Sequence, residues 1–111
     1  MPRFPGSGGM DIGRLMKQAQ KLQAEMAKTE EELANRVVEG TSGGGMVRVT
    51  VTCGMQFKSI EIEKEAVDPD DVEMLQDLIL AAINSAVAKA DETRKEEMAK
   101  VTGMANMPLK F

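Results

Sequence analysis

Four cations, Arg14, Lys17, Lys21 and Lys28, recur at offsets of 0, 3, 7 and 14 near the amino end of the sequence. At about 100° per residue, a helix would gather them into a stripe roughly 60° wide. A stripe of that kind could follow a row of phosphates; it is also the ordinary composition of a solvated helix face. Glu25 and Glu32 fall on the same side, four residues after Lys21 and Lys28, and are placed to pair with them. Arg14 and Lys17 have no such competitor nearby and are the better candidates for an external anion. A second group, Lys89, Arg94, Lys95 and Lys100, lies towards the carboxyl end. Asp91 precedes Lys95 by four residues and Glu96 precedes Lys100 by four, so both lysines are expected to be paired. Lys89 and Arg94 remain as further candidates for contact with a nucleic acid.

Other chemistries find little to build on. The sequence has no His, which removes the commonest general base and the commonest metal ligand together. Its single cysteine, Cys53, stands on an inward strand position with no base to activate it, and is read as a small core residue. Gly43-Gly44-Gly45 is not followed by the Gly-Lys-Ser/Thr of a phosphate-cradling loop, and reads as a hairpin. The acidic cluster Asp70, Asp71, Glu73 and Asp77 lacks the interleaved spacing of a calcium loop, so helix capping is its nearest role. Six methionines, at 16, 26, 46, 55, 74 and 98, mostly fall on core positions. No catalytic residue, metal ligand, cofactor or small-molecule substrate is expected.

The elements that must carry the cations can be read from periodicity. Residues 1–10 are rich in Pro and Gly and are expected to be disordered. Asp11 suits the N-cap of a long helix running to about Asn35. Along it Ile12, Leu15, Ala19, Leu22, Met26 and Leu33 alternate at spacings of three and four, with Thr29 in the one polar slot. That is a heptad-like seam on the side away from the cations. The period then changes to two. Val37 and Val38 open a first strand that ends in the glycine run. Val47, Val49, Val51 and Cys53 alternate with polar residues in a second, and Phe57, Ile60 and Ile62 mark a third. Asp68-Pro69 predicts the start of a second helix, from about Pro69 to Lys100. A domain over residues 11–100 and an extended tail over 101–111 complete the reading. The fold class is α+β: long helix, three-stranded antiparallel sheet, long helix.

Composition limits size and setting. A chain of 111 residues holds one domain, and with three Phe, no Trp and no Tyr its core must come from Met, Ala, Val and Leu. No apolar run is long enough to span a membrane, and residues 1–10 lack a signal-peptide core. With one cysteine and no internal disulfide, the cytoplasm is the expected compartment. The net charge of −4 argues against a nucleic-acid partner only until its distribution is considered. Residues 65–80 hold six acids and no base, whereas the cations outnumber the acids within residues 1–21. The second helix is apolar nearly all round between Met74 and Ala90, so more than one of its faces needs covering. This predicts a homodimer with Leu75, Leu78, Ile79, Ala82, Ile83 and Ala86 at its interface.

Several segments together resemble the YbaB/EbfC family of small bacterial nucleoid-associated proteins. The opening Leu15-Met16-Lys17-Gln18-Ala19-Gln20-Lys21-Leu22-Gln23 is similar to the family's signature start. So are Gly40 to Val47 with the Val-rich strand that follows, the stretch from Asp77 to Ala86, and Met98-Ala99 with the Gly/Met/Pro tail. The resemblance spans residues 11–111. It implies a tweezer-shaped homodimer that holds duplex DNA with its projecting helices, with limited sequence preference and a location in the bacterial nucleoid. Arg14, Lys17 and Lys21 match the family's first-helix region. An alternative reading from the helix–strands–helix order is a prefoldin-like structural or chaperone protein without DNA binding.

Overall fold

The computed structural model describes residues 11–106. Helix α1 spans Ile12–Asn35. Its start is set by Asp11, whose carboxylate accepts the Arg14 N–H at 3.2 Å while its carbonyl accepts the Leu15 N–H at 3.0 Å. Arg36 is extended and ends it. Strands β1 (Val37–Ser42), β2 (Val47–Thr52) and β3 (Phe57–Ile62) form one antiparallel sheet in that order. Helix α2 spans Val72–Asn106, 35 residues or about 52 Å. The element order is the expected one.

The two hairpins have different means of turning. Between β1 and β2, Gly43–Gly45 form a 3₁₀ turn in which Gly44 (φ 69°) and Gly45 (φ 96°) occupy left-handed backbone conformations that a Cβ disfavours. Between β2 and β3, the Thr52 hydroxyl accepts the Gln56 N–H at 3.1 Å, and Met55 takes φ 69° despite its side chain. That conformation costs about 1–2 kcal/mol, offset in part by the Met55 N–H donating to the Thr52 carbonyl at 2.8 Å.

Alternation along β2 turns Val47, Val49 and Val51 to one face, where all three are fully buried under α2. Ala82, Ala86 and Ala90 recur every fourth residue and are fully buried too. Small side chains let the helix axis come close to the sheet. At Gly40 the approach is closest: a Cβ there would meet the Ala82 carbonyl oxygen at 2.5 Å and the Ala86 Cα at 2.6 Å. The Ser42 hydroxyl donates to the Leu78 carbonyl at 2.6 Å, tying the end of β1 to α2. The other sheet face is polar, with Arg48 and Glu61 paired across β2 and β3 at 3.1 Å.

The structure corrects four expectations. First, α2 starts at Val72 and not at Pro69. Asp68 accepts from the N–H groups of Asp70 (side chain, 2.9 Å) and Asp71 (carbonyl, 2.9 Å), so Pro69 sits inside a β-turn. The cap falls to Asp71, whose carboxylate accepts the Met74 N–H at 3.1 Å. Second, α2 runs past Lys100 to Asn106, so Val101–Asn106 are helical and not extended; residues 1–10 and 107–111 lie outside the described residues. Third, Ala82 and Ala86 cannot serve a subunit interface, because the chain's own sheet buries them; Leu75, Leu78, Ile79 and Ile83 are half-buried at the margin of the same core. Fourth, Met16, Met55 and Met74 are exposed, so these three are not core residues.

The molecule measures 85 × 27 × 16 Å, with a radius of gyration of 22.6 Å. A compact domain of this length would have about 13 Å. The difference lies in the helices. In α1, Leu22, Met26 and Thr29 are half-buried and Leu33 is buried, whereas every residue from Ile12 to Lys21 is exposed. The first three turns are an arm in solvent. Among the described residues, no helix is long and apolar enough to cross a membrane.

Candidate nucleic-acid interface

The arm carries the stripe. Arg14, Lys17, Lys21 and Lys28 are all exposed, and none forms an ion pair among the described residues. The expected pairings of Lys21 with Glu25 and Lys28 with Glu32 do not form. Asp11, Gly13, Arg14 and Lys17 line a shallow open groove at the arm's end. Gly13 contributes no side chain to it, so the two cations beside it stand clear.

The cations of α2 are placed differently. Lys89 is exposed and has no acidic partner among the described residues. Arg94 is engaged with Glu30 of α1 at 3.3 Å, so half of this candidate pair is already neutralised. Lys95 pairs with Asp91 at 3.2 Å as its spacing suggests. Lys100 pairs with Glu97 at 3.2 Å, not with Glu96, and the same carboxylate takes Arg36 at 3.4 Å. Such exposed pairs contribute only about 0–1 kcal/mol each, yet they remove positive charge from this end. Among the described residues, four of the seven cations without an ion pair therefore lie on α1, and Lys58, Lys64 and Lys89 stand apart from them.

The remaining candidates resolve as structural parts. Cys53 is fully buried and its N–H donates to the Arg36 carbonyl at 2.8 Å. Asp68 and Asp71 are occupied by backbone N–H groups, and no group of acids, His or Cys among the described residues could hold a metal ion.

One surface escaped the sequence reading. Phe57, Ile60 and Ile62 pair with Val51, Val49 and Val47, so they share the apolar face of the sheet. Helix α2 does not cover them: they are 48%, 50% and 39% exposed. Leu80 of α2 is exposed as well, and Ile79, Ile83 and Val87 beside it are only half-buried. The spacing of three and then two along β3 hides this face from an alternation test. A bulge at Lys58, where the register slips against Thr50 and Val51, brings Phe57 back into line with the isoleucines.

A basic, solvent-bound helical arm on a small sheet is the context in which known relatives become informative. The model of the YbaB/EbfC DNA-binding family matches residues 8–105. The chain belongs to that family. A nucleoid-associated protein of Ruminiclostridium cellulolyticum is 52% identical over 101 residues, covering 90% of this chain and 88% of its own. One from Clostridium novyi is 53% identical over 109 residues, covering 97% and 96%. In fold, the chain is similar to the crystal structure of an uncharacterised Helicobacter pylori protein. The TM-score is 0.59 at 24% identity, covering 70% of this chain and 90% of that one. The α-β-β-β-α order of this YbaB/EbfC protein thus recurs in a solved structure, and the named relatives extend over nearly its whole length.

Proposed function

We propose that this protein is a homodimeric, nucleoid-associated DNA-binding protein of the bacterial cytoplasm, which holds duplex DNA through phosphate contacts from its α1 arms. The observation that carries the reading is the stripe itself: four unpaired cations on one exposed side of a projecting helix. Membership of a DNA-binding family and relatives named as nucleoid-associated support it. Arg14, Lys17, Lys21 and Lys28 are the proposed contacts, joined by Lys89. Arg94 contributes less because Glu30 holds it. Contacts of this kind position a protein on the duplex and carry no direct sequence information, which accords with limited sequence preference. The reading needs no catalytic group, cofactor or small-molecule substrate.

The dimer is part of the same proposal. Its interface is the uncovered apolar face: Phe57, Ile60 and Ile62 of β3, with Leu80, Ile79 and Ile83 of α2. Leu75 and Leu78 pack against the subunit's own core, Leu78 beside the Gly43 turn, and Ala82 and Ala86 stay within each subunit.

Titrating duplex DNA across a salt series tests the phosphate reading. Log affinity should fall linearly with log salt, at a slope of about −0.9 for each phosphate contacted. The double variant Arg14→Glu/Lys17→Glu should bind all sequences more weakly and lose about two contacts' worth of that slope in each arm. An unchanged slope would remove the stripe from the mechanism. One observation favours the chaperone reading: Ile12, Leu15 and Met16 expose apolar surface at the tip of the arm, where a prefoldin-like protein would meet its clients. Suppressed client aggregation without any shift of duplex DNA would decide for it.

A further inference from the structure

The apolar seam of α1 is covered along only half its length, and charge distinguishes the two halves. In the covered half, Leu22, Met26, Thr29 and Leu33 are half-buried or buried. Its edges are charged: Glu30 meets Arg94 at 3.3 Å, and Arg36 at the helix end meets Glu97 at 3.4 Å. Both partners belong to α2, the element that covers it. In the open half the same line runs through Ala19, Leu15 and Ile12, with Met16 at its edge. There Ile12 is 67%, Leu15 50% and Met16 59% exposed. From Ile12 to Gln23 the charged residues are Arg14, Lys17 and Lys21 alone, all on the far side of the helix. The residues that fringe the open seam, Met16, Gln18 and Gln23, carry no charge.

Charges at the edges of a heptad seam select its partner. Uncharged edges give an acidic or basic helix nothing to pair with, whereas a second copy of the arm meets them without repulsion. The sizes fit as well. When two arms lie antiparallel with Ile12 of each beside Leu22 of the other, Leu15 of each falls on Ala19 of the other, large on small. The overlap is about 15 Å long. With the axes about 9 Å apart, the cation stripes stand on the outer sides of the pair. They lie about 20 Å from each other, beyond the ~8 Å screening length of physiological salt.

We propose that the open seam of the α1 arm pairs antiparallel with the same seam on a second copy of this chain. The pair sets the two Asn35 ends of α1 about 54 Å apart, with a sheet beyond each. Two chains so joined cannot also share their β3 faces, so the contact links one dimer to the next; that step alone rests on the proposed dimer. Three part-exposed side chains per copy fall far short of the ~800 Å² a side of a stable interface, so the pairing is weak and acts at high local concentration. It requires no DNA.

Mixed cysteine variants at near-millimolar concentration, without DNA, test it. Leu15→Cys and Ala19→Cys chains should form a mixed disulfide on mild oxidation at least tenfold faster than Ile12→Cys chains pair with themselves, because antiparallel arms hold the two Ile12 positions about 15 Å apart. Cys53 is fully buried and stays out of the reaction. The Ile60→Asp background should give the same result, which separates the arm contact from the β3 face. A faster Ile12→Cys disulfide would mean parallel arms, and no disulfide in either mixture would leave the seam to another occupant; each overturns the proposal. Sedimentation gives a second measurement. The average mass of the parent should rise over this concentration range, and that of Ile12→Ser/Leu15→Ser, which alters no buried residue, should rise less. Equal curves would overturn the proposal, and if the parent also suppressed client aggregation they would assign the seam to clients.

Discussion

Gly40 marks the point where a single atom decides how close helix and sheet can lie. A Cβ at this position would press on the backbone of α2, at the Ala82 carbonyl and the Ala86 Cα, and neither can rotate aside as a side-chain tip would. Gly40→Ala should therefore destabilise the fold by at least the ~1–3 kcal/mol typical of overpacking, seen as a lower urea midpoint at unchanged slope. Gly44 provides the contrast, since a Cβ there meets nothing within 4 Å and only its positive φ is at stake. Gly44→Asn should change the midpoint little, because Asn tolerates the left-handed region. The same pair of substitutions separates crowding from backbone strain: equal losses at both positions would mean that the α2–sheet approach is looser than the structure has it.

Among the elements, α2 shows best how a local signal can be read correctly and placed wrongly. Asp68-Pro69 satisfies the requirements of a helix start and of a β-turn equally well; the chain makes the turn first and caps the helix at Asp71, three residues on. Asp71→Ala should cost about 1 kcal/mol in thermal or urea unfolding, and if Asp68→Ala alone has that effect, the cap has been misplaced. The far end of α2 was hidden for a different reason. Gly103 and Met104 read as part of a tail that begins at Val101, yet nothing there forbids helix, and the Thr102 hydroxyl can donate back to Met98 and Ala99. The strands were legible because Val47, Val49 and Val51 alternate without interruption. The open face of β3 was not, since one bulged residue, Lys58, breaks the alternation that would have revealed it. At the candidate site the cations of α1 could be found from spacing alone. The freedom of Arg14 and Lys17 was legible in the same way; that of Lys21 and Lys28 was not, because Glu25 and Glu32 stand four residues on and yet pair with neither among the described residues.

For the whole molecule, the question is how a protein of net charge −4 holds a polyanion. One arm presents about four unpaired cations, enough for only weak binding at physiological salt. Two arms on the proposed dimer would change the arithmetic. Once one arm is seated, the other meets the same duplex at an effective concentration that can be millimolar, and avidity can exceed a single arm's affinity by about 10²–10⁴. Acidic segments matter little in such an arrangement provided they lie away from the arms, as residues 65–77 do at the opposite end of the sheet-bound half of α2 from its contact with α1. Ile60 gives a way to separate dimerisation from charge. It is 50% exposed in the single chain and outside the buried core, so Ile60→Asp should leave the subunit folded while placing a carboxylate in the proposed interface. Sedimentation should then show monomers at micromolar concentration, with circular dichroism close to the parent's. Duplex affinity should drop at least tenfold although every cation of the stripe is intact, and the salt slope should fall to roughly half. A monomeric Ile60→Asp protein that still bound DNA with the parent's affinity and slope would mean that one arm suffices, and that the open face of β3 serves some purpose other than pairing the arms.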